Sequence, residues 1–138
     1  MIPLARAEES FGFLGDLGFR IAERFVTGGD TNRDGWRLVY STSTVSVTVQ
    51  YFDMQLEVLF VRSGVEADYL LIDRELLGRR SDLHGNMFPP QKLAPAIDRI
   101  AADIRAHFGA ILEGDAAVWT RIQRLLEAPK DKSRMSLP

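Results

Sequence analysis

Asp30, Asn32 and Asp34 stand at alternate positions, with Gly35 directly after them, in the stretch GGDTNRDGW (28–36). Side-chain oxygens at alternate positions, followed by a glycine that permits a sharp bend, open a calcium loop of the EF-hand kind. A bidentate glutamate at the twelfth residue completes such a loop. Counted from Asp30 the twelfth residue is Ser41, and the segment after Gly35 alternates like a strand rather than a helix. Without its strongest ligand the loop makes a weak calcium site at best. Asp, Asn and Gly also form turns in their own right, so the stretch is read as a polar connection between two strands and no metal is assigned to it.

The other chemically capable groups are sparse. His84 lies beside Asp82 and Asn86 in RRSDLHGNMFPP (79–90), an arrangement open to acid–base work, yet no serine-centred motif or second histidine accompanies it. His107 borders the apolar stripe of a helix. Two histidines cannot build a multi-histidine metal centre. The carboxylate pairs Glu8–Glu9 and Asp73–Glu75 are read as solvated charges. FGFLGDLGF (11–19) repeats glycine inside a helical pattern, whereas a phosphate-binding glycine loop joins a strand to a helix. No catalytic residue, cofactor-binding residue or metal ligand is assigned, and no cofactor is expected.

Composition narrows the classes further. A chain of 138 residues, 46% hydrophobic and 26% charged, has the size and balance of one soluble domain with its own core. The absence of cysteine excludes disulfides, thiolate metal sites and cysteine nucleophiles. Seventeen basic residues are dispersed among 19 acidic ones for a net charge of −2, without the basic patch that nucleic-acid binding requires. Glu8 and Glu9 interrupt the N-terminal stretch where a secretory leader would be apolar, and no segment has the apolar run of a membrane span. The expectation is a cytoplasmic protein that binds neither nucleic acid nor membrane.

The elements follow from periodicity. Leu4, Ala7, Phe11, Leu14 and Leu17 recur at helical spacing over 4–17, although Gly12 and Gly15 weaken the helix. After Gly18 the period falls to two. FRIAERFV places Phe19, Ile21 and Phe25 on one side, WRLVYS alternates Trp36, Leu38 and Tyr40 with Arg37, Val39 and Ser41, and TVSVTVQYF alternates Val45, Val47, Val49 and Tyr51 with Ser46, Thr48 and Gln50. LEVLFVR sets Leu56, Val58 and Phe60 against Glu57, Leu59 and Val61. Short links predict antiparallel hairpins in chain order. EADYLLID (66–73) is a fifth strand, or a strand running into a helical turn through RELLG, and the 78–91 segment is a loop. Leu93, Ile97, Ile100, Ile104, Phe108 and Ile111 form one helical stripe, with Pro95 placed in the first turn. Gly114 stops that helix and Asp115 caps another, which turns Val118, Trp119, Ile122, Leu125 and Leu126 inward.

The fold class is therefore α+β: an antiparallel meander sheet of about five strands, with an N-terminal helix and two C-terminal helices packed on one face. One domain covers 1–127 and a flexible tail 128–138. The sheet face away from the helices carries Arg37, Ser41, Ser46, Thr48, Gln50 and Glu57 among Val39, Leu59 and Val61. A polar surface with a few aliphatics suits a protein partner, as would Trp36 or Tyr69 near an edge.

In element order, GFRIAERFV, WRLVYSTSTVSVTVQYFDMQLEVLFV and LAPAIDRIAADIRAHFGAILEGD resemble small uncharacterised bacterial families, some of them immunity proteins encoded beside polymorphic toxins. The resemblance spans roughly residues 10–127 and implies a stoichiometric binder that neutralises a toxin by occupying its surface. The sequence-based expectation is thus a non-enzymatic protein-binding module. Its alternative is a small enzyme or small-molecule binder with a site near the 78–91 loop, built from His84, Asp82 and nearby arginines.

Overall fold

The computed structural model describes residues 3–27, 35–79 and 87–127; the 128–138 tail lies outside them. Five strands, β1 (Arg20–Val26), β2 (Trp36–Ser41), β3 (Val45–Phe52), β4 (Gln55–Arg62) and β5 (Val65–Asp68), form one open sheet in the order β1-β2-β3-β4-β5. All neighbours are antiparallel. The meander follows from its links. Asp53 and Met54 turn β3 into β4, and Ser63 and Gly64 turn β4 into β5, all with positive φ. That is the two-residue turn whose twist matches the strands it joins. Between β2 and β3 the Thr42 hydroxyl accepts from the Thr44 and Val45 amides at 3.2 and 3.0 Å, closing the link locally.

Alternation gives the sheet two unlike faces. Trp36, Leu38, Tyr40, Val45, Val47, Val49, Tyr51, Leu56, Val58, Phe60 and Ala67 are all buried, and their register puts them on one side. The helices lie on that side: α1 (Pro3–Ser10), α2 (Phe13–Asp16), α3 (Tyr69–Leu71), α4 (Pro90–His107), α5 (Gly109–Glu113) and α6 (Ala116–Glu127). They feed one core with the inward strand residues. At its centre the Phe108 ring lies 5.4 Å from Phe60 and 5.5 Å from Tyr69, centroid to centroid. The expected cap is present, since the Asp115 carboxylate accepts from the Val118 amide at 3.0 Å and Gly114 takes the left-handed conformation at φ 75°. No described helix is long and apolar enough to cross a membrane.

Several expectations are corrected in detail. The helix expected over 4–17 breaks at Phe11 and Gly12, and Leu17, placed on its apolar stripe, is exposed. In β1 the pairing jumps from Ile21 opposite Tyr40 to Glu23 opposite Val39. Ala22 is thus the extra residue of a bulge, which reverses the side each later residue faces. Ile21 therefore shares the helix side with Tyr40, while Phe25 lies opposite Arg37 on the outer side. Of the two alternatives for EADYLLID the second holds: Glu66–Asp68 belongs to β5 and the chain turns helical at Tyr69, which opens α3, where the Asp68 carboxylate accepts from the Leu71 amide at 2.8 Å. Helix α4 starts at Pro90, so Pro95 falls beyond its first turn. Its missing N–H concerns the carbonyl of Gln91, and both residues are exposed, where water can take the donor's place. The single long stripe is carried by two segments joined at Phe108, whose ψ of 22° interrupts the helix.

Two polar contacts fix α1. The Arg6 guanidinium donates to both carboxylate oxygens of Asp98 on α4, at 3.0 and 2.6 Å, and the Ser10 hydroxyl donates to the same group. The hydrogen bonds from Arg6 and Ser10 hold the Asp98 carboxyl below its ordinary range. On the sheet, the Arg24 guanidinium donates to Glu8 at 2.6 Å. Beneath that pair the Tyr40 hydroxyl is buried without a partner among the described residues. Burial first, and then the Glu8 charge, push its ionisation up to about 12. The folded state therefore prefers neutral Tyr40: its contribution is complete below the ordinary phenol value near 10 and is lost as pH rises from there to about 12. Tyr40→Phe should remove that alkaline loss from urea-melt stability measured across this range, and near neutral pH it should leave stability unchanged or raised, because an unpartnered hydroxyl disappears.

Candidate functional site

The outer sheet face is assembled from the residues that alternate with the core. Arg37, Gln50 and Glu57 lie directly opposite one another across β2, β3 and β4. The Arg37 Nε donates to Gln50 Oε1 at 3.1 Å, and Gln50 Nε2 donates to Glu57 Oε1 at 2.9 Å. The Arg37 Nη1 reaches Glu23 on β1 at 3.4 Å. A polar chain thus crosses four strands. The guanidinium carbon of Arg37 lies 5.6 Å from the ring centroids of both Phe25 and Phe52, so an arginine is held between two aromatic faces. Phe52 is itself positioned by Gly35: a Cβ at Gly35 would come within 2.2 Å of the Phe52 ring and 2.7 Å of the Tyr51 carbonyl oxygen. Val39, Leu59 and Val61 are half-buried beside this chain, and no described helix packs over it.

A second feature lies on the helical side. After α3 the chain makes a π-helical turn, Ile72–Leu76, a wide turn often found at functional positions. Asp73 in that turn is fully buried, a correction to its reading as a solvated charge. Its Oδ1 accepts from Arg79 Nη1 at 3.0 Å and its carbonyl from the Arg79 amide at 2.8 Å. The Arg79 Nη2 lies 3.4 Å from Asp103 Oδ1, and Asp103 Oδ2 accepts from the Tyr69 hydroxyl at 2.8 Å. The second oxygen of Asp73 is buried without a partner among the described residues. Its context held a usable signal: Leu70, Leu71 and Ile72 precede it and Leu76 and Leu77 follow, so a helical turn there has few polar directions to offer.

The remaining expectations divide cleanly. Asp30, Asn32, Asp34, Asp82, His84 and Asn86 lie outside the described residues. At the ends of the 28–34 segment the Thr27 amide donates to the Gly35 carbonyl at 2.9 Å, and the Gly35 amide donates to the Thr27 hydroxyl at 3.0 Å. The chain after Gly35 is the strand β2, with Ser41 as its last residue. His107 is exposed at the last position of α4. Glu8 pairs with Arg24, and Glu75 lines a shallow hollow with Leu76, Arg121, Arg124 and Leu125. Trp36 and Tyr69, expected near an edge and open to a partner, are only 4% and 3% exposed; both point into the core. Among the described residues no cluster of three or more histidines and carboxylates gathers as a metal site would need.

The class defined by this geometry is an α+β domain with an open five-stranded antiparallel meander, helices on one face and an arginine-centred opposite face that no described helix covers. Compared with protein-family models, with curated proteins and with solved structures, the chain matches none.

The Arg79 side chain is 31% exposed and that of Asp73 0%, so removing the arginine leaves a fully buried carboxylate stranded. Arg79→Ala should therefore destabilise the fold by about 3–5 kcal/mol in urea unfolding. Combining it with Asp73→Leu should recover a large part of that loss, and strict additivity of the two changes would contradict the coupling.

Proposed function

We propose that this protein is a non-enzymatic protein-binding module that recognises its partner through the outer sheet face. The observation that carries the reading is Arg37, fixed between Phe25 and Phe52 and tied to Glu23 and Gln50. Arginine and aromatic side chains dominate the energetics of protein interfaces, above all where they are ordered before binding. The half-buried aliphatics beside them supply apolar area, and the flanking carboxylates Glu23 and Glu57 select a partner with basic groups at matching positions. The immunity-type resemblance gives one form of the same reading: a stoichiometric binder that neutralises a toxin by covering it.

A second reading places a small-molecule or hydrolytic site beside the 78–91 loop, as the alternative to protein binding. It is favoured by one observation, the buried Asp73 oxygen that has no partner among the described residues, next to Arg79 and Asp103. The two readings part experimentally, because a change at Arg37 leaves the Asp73 cluster untouched.

Cross-linking in cells of the native host should trap a partner that survives in the control Arg121→Ala, on the exposed side of α6. Arg37→Ala or Phe52→Ala should weaken binding of that partner by about 30-fold or more, the loss of one interface hot spot. Equal capture by all the variants would place the interface elsewhere.

A further inference from the structure

The outer face is not uniform in charge. On β4 the register puts Glu57, Leu59 and Val61 on the outer side, and on β5 it sets Asp68 opposite Leu59 and Glu66 opposite Val61. These two strands contain one basic residue, Arg62. Its strand partners are Val45 and Val65, and Val45 belongs to the core, so Arg62 lies on the helical side, where its Nε is buried. Three carboxylates thus share the outer side of β4 and β5 with no cation from either strand. Arg37 stands two strands from β4, behind Gln50, and pairs with Glu23 on the far side. Asp68 is committed to capping α3. Glu57 accepts from the neutral Gln50 amide, which leaves its charge without an ion pair, and the exposed Glu66 makes no ion pair among the described residues. Leu59 and Val61, both half-buried, fill the interval between Glu57 and Glu66. Four residues along a strand and one strand across set those two positions roughly 14 Å apart.

We infer that the β4–β5 half of this face takes a basic amphipathic helix of the partner, its aliphatic side on Leu59 and Val61 and its lysines or arginines on Glu57 and Glu66. The inference rests on the outer face being the binding face, as proposed above. Both edges of β2, β3 and β4 are already paired, so a partner meets side chains there and not free amides. Helices seated on side chains are also how the opposite face of this sheet is covered. Basic residues two to three turns apart on one helix face are separated by about 11–16 Å, which matches the two carboxylates, and their long apolar stems lie along the aliphatic pair. Carboxylates alone attract any cation. The aliphatic pair between them adds apolar area that an amphipathic ligand covers and a simple cation does not, while an acidic segment is turned away by like charge. Arg37, held between Phe25 and Phe52 on the other half, anchors the same partner beside the helix.

The probe is a synthetic peptide of about 18 residues, leucine on one helical face and lysine flanking it, titrated into the full isotope-labelled chain. Amide resonances should shift at Thr48, Leu59, Val61 and Glu66 and stay in place along α4, a readout on the wild type that needs no variant. Glu57→Gln with Glu66→Gln should weaken the affinity about fivefold or more, the effect of losing two exposed ion pairs. Glu9→Gln with Glu113→Gln removes the same charge from exposed positions on α1 and α5 and should leave the affinity unchanged. The same peptide with glutamate in place of lysine should not bind. Absence of shifts at millimolar peptide, shifts that fall elsewhere, equal weakening in the two double variants, or equal binding of the acidic peptide overturns the inference. A cross-linked partner that is lost in Arg37→Ala but meets β4 and β5 with an acidic or uncharged segment overturns it too and leaves the protein-binding reading standing; a partner retained by Arg37→Ala defeats that reading itself.

Discussion

One-sided burial of a five-stranded sheet is the constraint on which the rest of this molecule depends. Fully burying a valine, leucine or phenylalanine contributes roughly 1.5–3 kcal/mol; β3 and β4 each send three such residues to the same side, and β2 adds Trp36, Leu38 and Tyr40. An exposed ion pair or polar contact on the opposite side contributes roughly 0–1 kcal/mol. The inner row therefore decides the register, because a slip of one residue would put every valine of β3 into water. The outer row is left to other uses. That asymmetry makes an arginine clamped between two phenylalanines meaningful: the fold does not require it, and it is ordered all the same.

The meander was legible in the sequence because its cause is local. Alternation in 45–52 and 55–62 and the two-residue links between strands specify pairing without reference to the rest of the chain. The C-terminal stripe, Gly114 and Asp115 were legible for the same reason, since caps act over three or four residues. What escaped was non-local or geometric. The Ala22 bulge cannot be seen in FRIAERFV, because it exists only relative to β2, and it sends Ile21 and Phe25 to opposite sides. Trp36 and Tyr69 looked like surface anchors from their places near strand ends, but the register turns both inward. Leu17 followed the helical period of a helix that ends before it.

The outer face was anticipated in its membership, through Arg37, Gln50, Glu57, Val39, Leu59 and Val61, though not in its organisation. Phe25 and Phe52 were missing from that reading, and they are the residues that hold Arg37. The spacing of β1 misassigned the first; the second becomes significant only once Gly35 is seen to leave room for its ring. Asp73 shows the opposite failure. A carboxylate read as a solvated charge is buried because the chain turns helical at Tyr69 rather than continuing as a strand, and that turn carries Asp73 toward Arg79 and α4. In both cases the side chain's chemistry was visible in the sequence and its neighbours were not.

Because the chain contains no cysteine, single cysteines along β3 report directly on which side of the sheet is open. The account predicts that Thr48→Cys and Gln50→Cys react with a thiol reagent far faster than Val47→Cys and Val49→Cys in the folded protein, in strict alternation. Protection of Thr48→Cys and Gln50→Cys equal to that of the valine positions would show that the outer face is covered, and would contradict the central claim.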